Sequence, residues 1–135
     1  MRSLFFSILL IATVTILFSS CSEDDGISAD NWAGAVEGTY IGTIDYGGGE
    51  AATVLMTRIA DKQLNIKVDF DYFTGGGGSI HYTYCLDSVS MTSATTFTIN
   101  EYDGCDISHA SGGGNFSGNT VSFTVHGYAV NATKQ

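Results

Sequence analysis

Between residues 64 and 72 apolar and polar side chains alternate one by one: Leu64, Ile66, Val68, Phe70 and Tyr72 against Asn65, Lys67, Asp69 and Asp71. A repeat of two places the five apolar side chains on one face of an extended strand, where a helix of 3.6 residues per turn would scatter them. The same rhythm recurs at Ile80, Tyr82, Tyr84 and Leu86 against His81, Thr83, Cys85 and Asp87, and at Val121, Phe123 and Val125 against Ser122, Thr124 and His126. Each run is expected to form a strand with one face in a core and one in water. Weaker alternation predicts strands over Gly38–Tyr46, Ala51–Ile59 and Thr95–Tyr102, with shorter ones at Ser88–Thr92 and Gly113–Ser117, so the reading is seven to eight strands in all.

The breaks are turn chemistry: Gly47-Gly48-Gly49, Ala60-Asp61-Lys62, Gly75 to Gly78, Asp103-Gly104 and Gly118-Asn119. Links this short join antiparallel neighbours, because a parallel pair needs a crossover of a dozen residues or more. No segment after the first twenty residues carries an apolar stripe at three- and four-residue spacing, which disfavours crossover helices and a parallel sheet. The fold class expected is all-β, an antiparallel up-and-down meander closing into a small barrel. The alternative is a β-sandwich, whose Greek key needs a long crossing link, and Tyr102 to Gly112 is the candidate for one.

The amino terminus follows a different pattern. Arg2 precedes an apolar run from Leu4 to Phe18, interrupted only by Ser7, Thr13 and Thr15. At about 15 residues the run is short for a membrane span, which needs about 20, and suits the apolar core of an export signal. It stops at Ser19-Ser20-Cys21 and turns into Ser22-Glu23-Asp24-Asp25. This junction resembles that of a bacterial lipoprotein precursor, in which signal peptidase II cuts before a cysteine that receives diacylglycerol and acyl chains such as palmitate. The resemblance implies lipidation of Cys21 and removal of residues 1–20. The Ser-Glu-Asp-Asp tract is similar to the one that members of the Bacteroidota place after the lipidated cysteine of surface lipoproteins, which implies an outer-membrane, cell-surface location, with the periplasmic face as the alternative. Residues 21–36, small and acidic, are expected to be a lipidated tether, and residues 37–135 the barrel domain.

The charge sharpens this picture. The chain has 135 residues and a formal charge of −9; without residues 1–20, four basic and fourteen acidic side chains remain, a net charge of −10. Nucleic acid is excluded as an expected partner, since binding it requires clustered Lys and Arg. Lipidation of Cys21 leaves Cys85 and Cys105, which an oxidising compartment permits to pair; two free thiols are the alternative.

A second resemblance lies in Gly38-Thr39-Tyr40-Ile41-Gly42-Thr43-Ile44, in Leu64 to Phe70, and in Gly114-Asn115-Phe116-Ser117-Gly118-Asn119-Thr120-Val121. These segments are similar to the calycin-like (lipocalin-like) β-barrel domains of Bacteroidota lipoproteins. The resemblance implies a barrel over roughly residues 37–130 and brings no catalytic residues with it.

Candidate chemistry is sparse. Glu101, Asp103 and Asp106 could offer oxygens to calcium, but lack the EF-hand spacing, and a solvated acidic turn accounts for them. His81, His109 and His126 sit at no recognised zinc spacing. Asp69 and Asp71 form a carboxylate pair on the polar face of their strand, where solubility explains them better than glycoside chemistry. No nucleophile elbow and no phosphate-binding glycine loop are present in the sequence. Asp87-Ser88-Val89 resembles the Asp-Ser/Thr-apolar acceptor for O-glycosylation in Bacteroidota, with Ser88 the modified residue. No cofactor, metal or enzymatic activity is expected. The inward Ile66, Val68, Phe70, Tyr72, Tyr82 and Tyr84 are the expected lining of a site for a small apolar or amphipathic ligand. The alternative is a structural or protein-interaction module whose interior the same side chains fill.

Overall fold

The computed structural model describes residues 30–99, 105 and 112–135. Eight strands lie among them: β1 (Gly38–Ile44), β2 (Glu50–Ala60), β3 (Gln63–Phe73), β4 (Ser79–Met91), β5 (Thr96–Ile99), β6 (Gly112–Ser117), β7 (Thr120–Val125) and β8 (Tyr128–Lys134). Each pairs antiparallel with the next, and β8 returns to β1 through Tyr40↔Lys134 to Ile44↔Val130, so the meander closes into a barrel. Closure leaves no sandwich and no open β1 edge.

The alternation of the sequence becomes the inside and outside of the wall. On β3, Leu64, Ile66, Val68 and Phe70 are buried while Lys67 and Asp71 are exposed. β1 must approach β8 closely to close the ring, and Gly42 permits it: a Cβ there would run into the Asn131 carbonyl oxygen and the Ala132 Cα.

β4 is one strand of 13 residues where alternation predicts two. Its inward set shifts phase: Leu86 and Val89 are both fully buried although they are three apart. The register explains this. Ile66 pairs with Leu86 and Leu64 with Val89, so Asp87 and Ser88 together face Asn65 in a β-bulge.

Two elements depart from the sequence expectation. Residues at the end of the expected tether form a helix, α1 (Trp32–Val36), capped by the Asn31 side chain, which accepts the Gly34 N–H at 2.8 Å. Five residues are too few to display a helical stripe. Docking holds α1: Ala33 is fully buried, its N–H donates to the Asp61 carbonyl at 2.9 Å, and the buried Tyr40 hydroxyl donates to the Val36 carbonyl at 2.6 Å. Strand β8 was not expected at all; it follows the two-residue turn His126-Gly127, whose φ values of 52° and 82° fit the mirror-image turn that matches strand twist.

α1 lies at the end of the barrel that carries the β2–β3 turn. In an up-and-down barrel the β1–β2, β3–β4 and β7–β8 turns therefore lie at the opposite end. Cys85, on the outward side of β4, is bonded to Cys105, with Cα atoms 5.3 Å apart. β5 pairs with only Ser90 and Met91 of β4, so Cys85 lies beyond that short ladder. The disulfide attaches the β5–β6 connection to the wall where strand pairing has stopped.

Candidate functional site

The end of the barrel opposite α1 gathers aromatic rings from four parts of the chain. Tyr46 stands in the turn after β1, Phe70 and Tyr72 on β3, Tyr82 and Tyr84 on β4, and Tyr128 at the start of β8. The Tyr46 ring is the hub: its centroid lies 4.6 Å from Tyr128 and 5.2 Å from each of Phe70, Tyr72 and Tyr82. Phe70 stacks on Tyr82 at 5.4 Å and meets Tyr84 edge-on at 5.2 Å. Such offset and edge contacts are the favoured geometries for rings and add about 1 kcal/mol each to simple burial.

Of the six inward residues that alternation selects as a ligand lining, the structure brings all to the interior but divides them. Ile66, Val68, Phe70 and Tyr84 are at most 2% exposed. These four are therefore core residues of the inner face and not an exposed lining. Tyr72 and Tyr82 are only half-buried, and with the half-buried Tyr46 and Tyr128 they form the accessible part of the cluster. Tyr46 and Tyr128 escaped the sequence reading, Tyr46 as the mere end of a strand and Tyr128 as part of none. The signal that could have found the first is an aromatic residue directly before Gly47-Gly48-Gly49.

The turn that carries Tyr46 is built around Glu50. Its Oε2 accepts the N–H of Tyr46 at 3.0 Å and that of Gly47 at 3.2 Å. Partial desolvation pushes the Glu50 carboxyl upward, but the backbone N–H groups of Glu50, Tyr46, Gly47 and Gly49 together outweigh it and hold the group below its ordinary value. Gly47 is needed for the packing, because a Cβ there would meet the Tyr72 ring at 2.8 Å. The neighbouring Tyr82 hydroxyl first, then partial burial, then the charges that Tyr82, Tyr128 and Tyr72 would carry push Tyr46 up to about 12.

No protein-family model, curated protein or solved structure matches this chain. The site is therefore read from its chemistry alone: rings with flat apolar faces, phenolic hydroxyls at their edges, and no charged side chain among the six.

The remaining candidates lie elsewhere. Asp69 and Asp71 are on the outer wall, where Asp69 accepts from Thr83 Oγ1 at 2.6 Å and pairs with Lys67 Nζ at 3.0 Å, and Asp71 meets His81 Nδ1 at 2.9 Å. Desolvation raises the Asp69 carboxyl; the Thr83 and Lys67 hydrogen bonds and the Lys67 and His81 charges outweigh it and hold the group low. His126 packs by Tyr84, with ring centroids 6.1 Å apart. Among the described residues no group of three His, Cys, Asp or Glu side chains could hold a metal ion. A shallow depression of about 450 Å³ lies on the outer wall over β7, β8 and β1, lined by Ile41, Thr43, Thr120, Ser122, Asn131 and Thr133 and free of charge. Ser88 lies at the β4 bulge, with its side chain outside the described residues, as are Cys21, Glu101, Asp103, Asp106 and His109.

Proposed function

We propose that the chain is a non-catalytic, lipid-anchored lipoprotein of the outer membrane, displayed at the cell surface, that binds a small apolar or amphipathic molecule at the tyrosine end of its barrel. The observation that carries this reading is the half-buried cluster of Tyr46, Tyr72, Tyr82 and Tyr128 against a buried apolar core. Tyrosines bury their rings yet keep hydroxyls that need partners, so such a cluster offers a ligand both apolar contact and a polar handle.

The chain's topology supports the orientation. α1 follows the expected tether in sequence and lies at the end of the barrel away from the tyrosines, which supports a ligand end turned away from the proposed anchor. The calycin-like resemblance agrees with a binding role, and the acidic Ser22-Glu23-Asp24-Asp25 tract agrees with surface display. A second reading, a structural or protein-interaction module, draws on the filled lower interior, where Val54, Leu64, Val68 and Leu86 are fully buried.

The test is saturable binding of an amphipathic fluorescent probe, compared between wild type and Tyr82→Ala. The binding reading expects saturation and a weaker constant in the variant. An unsaturable signal that is equal in both points to the interaction module instead.

A further inference from the structure

The tyrosine end is already filled by a phenol, and that phenol is the chain's own. Phe70 and Tyr84, beneath the cluster, are 2% and 1% exposed, and the Tyr46 ring lies against Phe70 with centroids 5.2 Å apart. Tyr46 is thus the cover of the site. It is not part of the wall: it stands in the turn between β1 and β2, after the last strand residue Ile44. Its N–H and that of Gly47 bond to the Glu50 carboxylate rather than to a neighbouring strand. The turn continues through Gly48 and Gly49, where an added Cβ would meet no atom within 4 Å, so it has open space into which to move. Tyr46 can therefore leave without breaking a ladder hydrogen bond of the barrel.

What Tyr46 would vacate has a defined chemistry. Four rings, Phe70, Tyr72, Tyr82 and Tyr128, surround the Tyr46 ring with centroids 4.6 to 5.2 Å away, and the three tyrosines among them bring phenolic hydroxyls to the hydroxyl-bearing ring they enclose. From this the geometry points to a plugged site for a small single-ring phenol, which binds by taking the place of the Tyr46 side chain between Phe70, Tyr72, Tyr82 and Tyr128. This rests on the reading that the tyrosine end is the ligand site, and deepens it by naming the ligand class and the residue that competes for the place. A plug seated in about nine of ten molecules weakens the apparent affinity about tenfold, because only the unplugged fraction can bind.

The experiment uses the full processed chain in lipid nanodiscs, with empty nanodiscs as the blank, and follows 4-fluorophenol and fluorobenzene by 19F NMR. Tyr46→Ala should bind 4-fluorophenol saturably and about tenfold or more tightly than wild type. It should prefer 4-fluorophenol to fluorobenzene by about fivefold, the worth of one hydrogen bond, and Tyr46→Ala with Tyr82→Phe should lose that preference. Tyr46→Phe, which restores the ring without its hydroxyl, should bind 4-fluorophenol more weakly than Tyr46→Ala. Glu50→Ala keeps Tyr46 but releases its turn, and should also bind 4-fluorophenol more tightly than wild type. If Tyr46→Ala melts cooperatively yet shows no gain, or takes fluorobenzene equally well, the inference is overturned, even where the wild type still binds the amphipathic probe. If Tyr46→Ala fails to fold, Glu50→Ala decides, and the absence of any gain there overturns it equally.

Discussion

The Glu50 carboxylate accepts the Tyr46 N–H at 3.0 Å, so one acidic side chain at the start of β2 holds the ring that covers the tyrosine end. The folded protein keeps this carboxyl below its ordinary value of 4.5. A lowered folded-state value means that its contribution is present above 4.5 and is lost as pH falls through the folded value. The amide resonances of Tyr46 and Gly47 should therefore shift together, with a midpoint below pH 4.5, and Glu50→Ala should abolish that transition. A midpoint at or above 4.5 contradicts the assignment.

Tyr46 titrates at the other extreme. Its hydroxyl is raised from 10.0 to about 12, so the neutral form is the one that folding favours. The stability it contributes is fully present below pH 10 and is lost as pH rises through about 12. Spectrophotometric titration of the tyrosines at about 295 nm should show a late phase, and Tyr46→Phe should lower its amplitude, leaving the buried Tyr40, which burial also raises. An unchanged late phase in the variant places the shifted hydroxyl elsewhere.

The Cys85–Cys105 bond joins residues 20 apart in sequence. In the chain-entropy model a loop of this size is worth roughly 3 kcal/mol. Replacing both cysteines by alanine should lower stability by about that amount in urea unfolding, and shift the melting temperature by more than about 10 °C. Loss of under about 1 kcal/mol would show that β4 and the connection after β5 are held together without it.

Lipidation at Cys21 is tested by mass. The membrane-extracted protein should begin at Cys21 and carry acyl chains, and Cys21→Ala should be released from the membrane. A mature chain beginning elsewhere, or a Cys21→Ala protein still anchored, removes the lipoprotein reading.

One more contact ties the helix to the barrel. The Tyr40 hydroxyl donates to the Val36 carbonyl at 2.6 Å in a buried setting. Tyr40→Phe leaves that carbonyl without its partner and should cost about 1–2 kcal/mol in equilibrium unfolding, with amide exchange rising first in Trp32–Val36. Equal protection of α1 in both proteins contradicts this.

Alternation and short turns determined the all-β class, the antiparallel order, and the inward faces of β3, β7 and the Tyr82–Leu86 part of β4, because both are local properties that each strand carries by itself; Ile80, at the start of the expected β4 row, is 46% exposed. The pairing of Cys85 with Cys105 was legible as arithmetic, with free thiols as its alternative. Tertiary structure decided what depends on distant partners. The bulge at Asp87 and Ser88 reverses the phase between Leu86 and Val89, so sequence periodicity splits β4 while pairing with β3 keeps it whole. α1 has too few residues to show a helical period and exists by docking on Asp61 and Tyr40. β8, with only Val130 and Ala132 buried, is specified by its partners β7 and β1. The tyrosine cluster is the extreme case: Tyr46 and Tyr128 are 82 residues apart, yet their ring centroids lie 4.6 Å apart because closure of the barrel seats β8 beside β1. No local pattern encodes that contact, since the free energy that makes it is supplied by burial of the whole wall.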